Sequence, residues 1–306
     1  MDTPAGSPQP PVTPQDHWEE RYGVTSIWSG RVNATTAAVV EALEQGGAAP
    51  GRSLDLGSGE GADVIWLAGR GWDATGVDIS TRATERARIA AIGAGVPEER
   101  IRFVAADLSA WADGAGTGGA GTGGAGADGT RPVAAADDPA AGLLDGPFDL
   151  VTASFFHSEV ELARTAVLRR AAEAIAVGGH LLIVSHAAPP PWAAAHDAAE
   201  HGADGAVADG NSAPGAGGDG AGGDGADGDA APYGDDSAAG EGTGHGHAPG
   251  HGHHDLLTPA EEVAALALPA DAWAIEIAES RERAATGPDG ESVVLEDGVV
   301  LLRRLR

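Results

Sequence analysis

The residues with the clearest chemical potential lie in one glycine-rich turn, Asp55 to Gly61, which reads Asp-Leu-Gly-Ser-Gly-Glu-Gly. Its glycines allow a tight turn and let a ligand approach the backbone N–H groups, and Ala62 begins a predicted helix just beyond. With Ala62 the run also satisfies G-x-G-x-x-A, so a dinucleotide site and an NAD(P)-dependent oxidoreductase are one alternative. A tight turn with a helix cap and no ligand is another. The Asp55 carboxylate would repel a bound pyrophosphate, and it suits a ligand that carries positive charge.

Two further acidic residues follow predicted strands. Asp78 lies 21 residues after Gly57, near the end of a predicted strand, where a carboxylate accepts hydrogen bonds from both hydroxyls of a ribose. Asp107 follows the next predicted strand and can accept from an adenine amino group, while Leu108 packs the ring. Helix or loop capping is the alternative for each carboxylate. A dinucleotide site does not require the third acid, so the set favours an adenosine cofactor with an ammonium and a sulfonium.

Alternating strands and helices must position these residues. Thr13 to Tyr22 predicts a first helix, Asn33 caps a second, and strand–helix alternation begins at Arg52. Continuously apolar strands predict a parallel sheet that is covered on both faces. The last two strands are joined only by a turn sequence, 286–290, which predicts an antiparallel hairpin. The predicted fold class is therefore α/β, a doubly wound, mostly parallel seven-stranded sheet with a C-terminal antiparallel hairpin and helices on both faces.

Low-complexity segments interrupt this pattern. Residues 1–12 predict a disordered tail, and residues 13–306 a single domain. Gly/Ala/Asp-rich insertions at 112–142 and 193–254 cannot bury enough apolar area to offset chain entropy, so both are predicted to be disordered. They follow the third and fifth strands and so emerge at the carboxyl edge of the sheet, where ligands bind in such folds.

These motifs together resemble those of class I S-adenosylmethionine-dependent methyltransferases. The strand motif at Phe148–Ser154 and the closing hairpin fit the same Rossmann-like methyltransferase fold, and the resemblance covers 13–112 and 147–306. Trp18–Tyr22 and Trp28–Asn33 look like the N-terminal segment of small-molecule members, of which the thiopurine and tellurite-resistance enzymes are the nearest. The resemblance implies S-adenosylmethionine as cofactor, S-adenosylhomocysteine as product and a small-molecule methyl acceptor.

The resemblance also implies roles for individual residues. The glycines would cradle the methionine moiety beside Asp55, Asp78 would hold the ribose, Ile79 would pack the adenine and Asp107 would bind its amino group. The family often has cysteine where Ser58 stands, a tolerable departure because the backbone does the binding. The implied cofactor-binding residues are Asp55, Gly57, Ser58, Gly59, Gly61, Asp78, Ile79, Asp107, Leu108 and Ser154.

Methyl transfer is an in-line displacement that depends mainly on alignment of nucleophile, carbon and sulfur. A general base is required only if the acceptor must lose a proton. His157 is the candidate catalytic residue, as a base or as a group that orients the substrate, and a packing or capping role stays open. Aromatic residues near the N-terminus predict a lid, with ordinary core packing as the alternative. The predicted substrate and lid residues are Trp18, Tyr22, Trp28, Asn33 and Phe156.

Composition excludes several classes of function. The chain has no cysteine, which excludes disulfides, thiolate nucleophiles and cysteine-ligated zinc. Its net charge of −28 repels phosphate backbones, so a nucleic acid substrate is not expected. The Pro-rich start and the lack of a long apolar run predict a cytoplasmic protein with no membrane association.

One histidine-rich tract remains. Five histidines within ten residues can bind zinc, nickel or copper, but their glycine spacing presets no geometry, so a solvated loop without a metal site is predicted. They are His245, His247, His251, His253 and His254. A non-catalytic S-adenosylmethionine-binding protein, or one whose loop senses or buffers metal, is therefore a rival to the enzyme. The sequence leaves open the methyl acceptor, the atom methylated and the oligomeric state.

Overall fold

A computed structural model describes residues 12–114, 142–188, 256–286 and 290–306 of the 306-residue chain. All but residue 12 of the predicted tail, most of the first predicted insertion and the whole of the second, with its histidine-rich tract, lie outside the described residues. Those predictions stay predictions, as does the single domain. The helices are α1 Pro14–Tyr22, α2 Ala34–Gln45, α3 Ala62–Gly69, α4 Thr81–Gly93, α5 Leu108–Ala112, α6 Arg164–Glu173 and α7 Pro259–Leu266. The strands are β1 Arg52–Leu56, β2 Asp73–Asp78, β3 Ile101–Ala105, β4 Phe148–Ser154, β5 Ile175–His186, β6 Trp273–Thr286 and β7 Ser292–Arg304.

Within the described residues the strands form one seven-stranded sheet in the order β3-β2-β1-β4-β5-β7-β6. The neighbours from β3 to β5 are parallel, whereas β7 is antiparallel to both β5 and β6. The predicted closing hairpin is thus present. The chain reverses its direction of strand addition between β1 and β4, and ligands bind at the carboxyl ends of the strands at such a point.

Apolar side chains fill the space on both faces of the sheet. In β4, Val151 packs into one core cluster and Leu150 into the other, and Leu181 and Leu182 of β5 divide in the same way. Successive strand residues point to opposite faces, so this division requires helices on each side. The predicted doubly wound arrangement is confirmed.

Two local predictions differ from the structure. Gly178-Gly179 follows a helical pattern in the sequence and so predicts a helix end before a strand at His180, but both glycines lie inside β5, where the register with β4 shifts. A Cβ on Gly179 would lie 2.9 Å from the Asp149 carbonyl oxygen, so the glycine permits the close approach of the two strands. The short helix α5 was not predicted, and it includes Ala112, the first residue of the predicted insertion.

Among the described residues, none of the helices combines the length and the apolar character needed to cross a bilayer.

Candidate functional site

A cavity of about 620 Å³ opens at the carboxyl edge of the sheet, beside the ends of β1 and β4. Its wall is formed by the glycine turn, the segments after β2, β3 and β4, and the N-terminal residues 14–33. Every residue that the sequence analysis assigned to the cofactor, the lid or catalysis lines this cavity. The fold therefore brings together predicted residues that are up to 139 positions apart, from Trp18 to His157.

The glycine turn passes from β1 into α3 through backbone conformations that favour glycine. Gly57 has φ +69°, and a Cβ there would lie 2.6 Å from Cδ2 of Phe156. Gly61 has φ +84°, and a Cβ there would lie 2.6 Å from Cε1 of Phe103. A side chain at either position would meet both backbone strain and a ring, which explains the residue type at each.

Three N–H groups of the turn bond within the protein. Ser58 N donates to Val77 O, Gly59 N donates to a carboxylate oxygen of Asp78, and Gly61 N donates to Ser58 O, each at 2.9 Å. These three amides are therefore paired within the protein, and their bonds hold the turn in shape. The Ser58 hydroxyl is buried against β2, because a Cβ on Gly76 would lie 2.7 Å from its Oγ.

Asp78 is the central carboxylate of the cofactor side. One oxygen accepts from Gly59 N and the other from Ser80 N, both at 2.9 Å, and each oxygen retains a lone pair for a further donor. Burial raises the pKa of Asp78 to about 6, although the two backbone hydrogen bonds act in the opposite direction. The side chain is thus oriented by the turn before any ligand binds.

Asp55 is a second buried carboxylate, on strand β1, two residues before Gly57. It accepts a hydrogen bond of 2.6 Å from the Thr152 hydroxyl on the neighbouring strand. Burial, reinforced by the nearby carboxylates of Asp63 and Asp78, raises the pKa of Asp55 well above its usual range. A cation bound beside Asp55 would stabilise the ionised form and so be attracted to this position.

Asp63 is a site residue that the sequence analysis missed. Its oxygens accept from Asn33 N at 2.8 Å and from the Ser154 hydroxyl at 2.9 Å. The Ser154 hydroxyl also lies 2.8 Å from that of Thr36. This carboxylate therefore joins α2, α3 and β4 at the cavity. The available signal was an acid in the first turn of the helix that follows the glycines, but such acids are common because they complement the helix dipole.

Asp107 caps α5 as well as lining the cavity. One of its oxygens accepts from Ser109 N at 2.8 Å and from Ala110 N at 3.3 Å. The capping alternative from the sequence is thus present in the structure. It does not conflict with a ligand role, because both of these bonds end on the same oxygen.

The predicted lid lies directly on the glycine turn. A Cβ on Gly59 would be 3.1 Å from the Tyr22 hydroxyl and 3.2 Å from Nε1 of Trp28, and the indole donates to that hydroxyl at 3.3 Å. Tyr22 is buried, and its burial together with the Asp78 charge raises the pKa of the phenol. These two side chains therefore separate the turn from solvent.

Charged groups of the core hold this N-terminal segment in place. Glu60 accepts from Trp28 N at 3.3 Å and from Arg86 Nη1 at 2.8 Å. The same guanidinium donates to the carbonyl oxygens of Thr25 and Gly23, each at 2.7 Å. Because Arg86 lies on α4, the chain between α1 and α2 is tied to the body of the fold.

The other side of α1 reaches the segment after β4. Trp18 Nε1 donates to the Ser158 hydroxyl at 3.1 Å, and Glu159 lies 3.4 Å from Arg21 and 3.5 Å from His17. The N-terminal helix thus spans the cavity from the cofactor turn to the residues that flank His157.

The segment after β4 turns sharply at Phe155, which has φ +49°, a conformation unusual for a bulky residue. The turn is held by a bond of 2.8 Å from Phe155 N to Val184 O, and the ring stacks on His186 with centroids 4.4 Å apart. His157 follows on the cavity wall. His186 at the end of β5 and Phe155 after β4 line the cavity with His157, on the side of β1 away from β2 and Asp78.

The cavity wall is strongly acidic. Eight carboxylates and two guanidinium groups line it among the described residues. The carboxylates belong to Asp55, Glu60, Asp63, Asp78, Asp107, Asp113, Glu159 and Glu161, and the guanidinium groups to Arg21 and Arg31. This balance repels phosphates and attracts cationic groups, which disfavours the dinucleotide alternative.

Comparison with known proteins identifies the family of the chain. Residues 29–209 match the family model of a methyltransferase domain, which is more than half of the chain. The chain therefore belongs to this methyltransferase family. Family and strand order together confirm the predicted class I, Rossmann-like enzyme, for which S-adenosylmethionine is the methyl donor. No curated protein matches the chain.

Several solved structures are similar only at a distance. One concerns conversion of a disulfide bond into a thioacetal group during echinomycin biosynthesis, with 19% identity, TM-score 0.49 and coverage of 93% of this chain and 87% of that one. Magnesium protoporphyrin IX methyltransferase from Synechocystis PCC 6803 has 15% identity, TM-score 0.45 and coverage of 94% and 92%. TehB from Haemophilus influenzae has 13% identity, TM-score 0.43 and coverage of 95% and 66%. These likenesses are too distant to bear on the acceptor.

Among the described residues, no group of three or more histidine, aspartate or glutamate side chains is arranged to hold a metal ion. The histidines of 245–254 lie outside those residues, so their predicted lack of a metal site stays a prediction.

Proposed function

We propose that this protein transfers the methyl group of S-adenosylmethionine to a small-molecule acceptor that is uncharged or cationic. The observation that carries the proposal is the acidic cavity of about 620 Å³, which the N-terminal segment covers. Both the predicted cofactor residues and the predicted substrate residues line it. A cavity of this volume is typical of sites for small ligands. The segment over its mouth leaves little room for a folded macromolecular substrate.

The buried carboxylates fit the proposed cofactor. Asp55 and Asp78 lie on either side of a turn whose Gly57 has no room for a side chain, and both have raised pKa values when no cation is near. An ammonium beside Asp55 and ribose hydroxyls at Asp78 would compensate the cost of burying these charges. When bound, the cofactor supplies a methyl group already activated by a positively charged sulfur.

The chain's own residues then have to align the acceptor and exclude water. Tyr22 and Trp28 cover the turn, and Phe156 packs against Gly57, so the methyl group would lie in a dry part of the cleft. His157 is placed on the wall of the same cavity and is the proposed base or orienting group for an acceptor that must lose a proton.

The charge of the wall supports the choice of acceptor. S-adenosylmethionine brings two positive groups and one carboxylate, and together with Arg21, Arg31 and the Arg86 that pairs with Glu60 it neutralises only part of the eight acidic residues around it. An anionic acceptor would therefore enter a negative field, and an uncharged or cationic one would not.

Binding calorimetry tests the identity of the cofactor and distinguishes the methyltransferase from an oxidoreductase; a turnover assay distinguishes it from a non-catalytic binding protein. We expect micromolar binding of S-adenosylhomocysteine and no binding of NAD(H) or NADP(H). Binding of a nicotinamide dinucleotide without S-adenosylhomocysteine would overturn the proposal in favour of the oxidoreductase. Binding of S-adenosylhomocysteine without turnover on any acceptor would favour the non-catalytic binding protein.

A matched acceptor screen tests the second half of the proposal. Each probe pair shares a nucleophile and differs only in a carboxylate, such as 4-methylphenol against 4-hydroxybenzoate, benzylamine against 4-aminomethylbenzoate, and a neutral thiol against its acid. Release of S-adenosylhomocysteine is measured through a coupled homocysteine readout. We expect turnover only of uncharged or cationic members, and preference for the anionic members would contradict the assignment.

A further inference from the structure

One buried ion pair lies behind the cofactor cleft and does not line it. Arg164, the first residue of α6, uses Nη1 to bond both oxygens of Glu262 at 2.7 Å. Its Nε donates to the carbonyl oxygen of Phe156 at 2.8 Å. The side chains of Arg164 and Glu262 are only 14% and 4% exposed.

The position of the Phe156 carbonyl affects two residues of the cavity wall. It belongs to the peptide unit that joins Phe156 to His157, so a bond to it restrains both residues. The Phe156 ring packs on Gly57, where an added Cβ would lie 2.6 Å away. A shift of this peptide would therefore move the ring against the cofactor turn and the histidine on the cavity wall together.

Glu262 comes from a part of the chain that the family match does not include. The match ends at residue 209, and Glu262 lies on α7, which is fixed at its start by a reciprocal capping box between Thr258 and Glu261. Leu256, two residues before that cap, lines the cavity itself. The segment from Leu256 through α7 thus contacts the cleft directly and, through Arg164, from behind.

We propose that Arg164 and Glu262 are positioning residues for cofactor binding, which act by holding the Phe156–His157 peptide over the glycine turn. Glu262 neutralises the charge of Arg164, so the guanidinium can stay buried while its Nε donates a hydrogen bond to the Phe156 carbonyl oxygen. The proposal rests on S-adenosylmethionine binding at the cavity described above. It assigns to the C-terminal helix α7 a part in the cofactor site.

The competing interpretation is that the pair only joins α6 to α7. Arg169 provides the matched control, because it joins the same two helices and has no contact with the cleft. It donates to Leu266 O at 3.0 Å and to Ala265 O at 2.7 Å, at the opposite end of α7. Loss of helix joining alone should have the same consequence for both arginines.

The test replaces the pair with apolar residues of similar size, Arg164→Met with Glu262→Leu, since such a replacement of a buried ion pair often preserves stability. S-adenosylhomocysteine affinity is measured by calorimetry and the melting temperature by scanning calorimetry. We expect the double variant to bind roughly tenfold more weakly at a near-native melting temperature, and Arg169→Met to bind within about twofold of the parent. If the double variant does not fold, Arg164→Lys keeps a charge near Glu262 but lacks the Nε donor, and it should show the same weakening.

A double-mutant cycle with Phe156→Ala separates positioning from general loosening. In the Phe156→Ala background the ring is absent, so the ion pair has no side chain to position on the glycine turn. Adding Arg164→Met and Glu262→Leu in that background should therefore weaken binding by less than about twofold. Additive effects in that background, an unchanged affinity in the double variant, or equal losses in the Arg169 control would each overturn the proposal. Failure of the unmodified protein to bind S-adenosylhomocysteine would instead overturn the proposed function, and this inference with it.

Discussion

The two halves of the cleft are built in different ways. The cofactor half consists of short segments that follow consecutive strands, and its groups bond to near neighbours in space such as Gly59 N with Asp78. The acceptor half combines α1, the turn at Phe155 and the residues around His186, which are joined by side-chain contacts over long sequence distances. The family match covers the first half completely, whereas α1 and α7 lie outside it. The proposed donor half is thus formed by strand ends that the family match includes, whereas the proposed acceptor half depends also on α1, which lies outside that match.

The largest effect on the cofactor half is expected from Gly57→Ala. The new methyl group would lie 2.6 Å from Phe156 at a φ of +69°, so both the turn and the ring must move. We expect S-adenosylhomocysteine affinity to fall by at least about 100-fold in calorimetry. Gly95→Ala is the matched control, because Gly95 has the same φ of +69° with nothing within 4 Å. Equal losses of affinity in the two variants would mean that backbone strain alone, and not the cleft, explains the result.

Asp78→Ala comes next. Loss of charge-assisted hydrogen bonds to the ribose should weaken cofactor binding by roughly 2–3 kcal/mol. Asp107→Ala serves as comparison, because it removes a carboxylate that also caps α5, and a lost cap costs about 1 kcal/mol of stability. We expect Asp78→Ala to lose more affinity for S-adenosylhomocysteine than Asp107→Ala. The ratio of the drop in melting temperature to the loss of affinity should be larger for Asp107→Ala. An unchanged dissociation constant for Asp78→Ala would place the cofactor elsewhere.

The pH dependence follows from the same carboxylate. Burial raises the pKa of Asp78 from 3.8 to about 6 in the empty protein, so the group becomes protonated as pH falls through 6. The ribose hydroxyls bond best to the ionised form, so affinity should decline below pH 6, approaching about tenfold per pH unit. Calorimetric titrations between pH 5 and pH 8 check this, and Asp78→Asn should flatten the profile.

Stability of the empty protein should move in the opposite direction. A raised pKa in the folded state stabilises the protein fully below the unfolded value of 3.8, and this contribution is lost as pH rises through about 6. The empty protein should therefore gain melting temperature toward acid from this group, while the cofactor complex loses it. A parallel decline of both would show that other groups dominate the pH response.

The smallest effect on the cofactor half is expected from a change in the acceptor half. His157→Ala should leave S-adenosylhomocysteine affinity within about twofold, because it removes a side chain proposed to act on the acceptor and keeps the backbone that positions Phe156 on the glycine turn. Turnover of an acceptor that must lose a proton should fall by about 10²–10⁴-fold if His157 is the base. Initial rates across pH measure this. A full loss of cofactor binding would show that the two halves are not separable.

Much of the cofactor half was readable from the sequence because its signals are local. Closely spaced glycines after an apolar strand, as at Gly57 and Gly61, and an acid at the end of a strand, as at Asp78, mark their positions within a few residues. Asp63 could not be singled out in the same way. Its importance comes from Asn33 and Ser154, which approach it only when α2 and β4 meet.

By itself, the sequence determined the order of strands and helices, the glycine turn, the acids after the strands and thus the methyl donor, because hydrophobic periodicity and backbone sterics act over short distances. The tertiary structure decided which groups accept hydrogen bonds from the amides of Ser58, Gly59 and Gly61, and so fixed the shape of the turn. It also decided that α1 covers the turn and that Glu262 reaches the peptide after Phe156 through Arg164. These contacts depend on side chains from segments that are distant in sequence and meet only in the packed fold. Such long-range contacts produce no local pattern in the sequence.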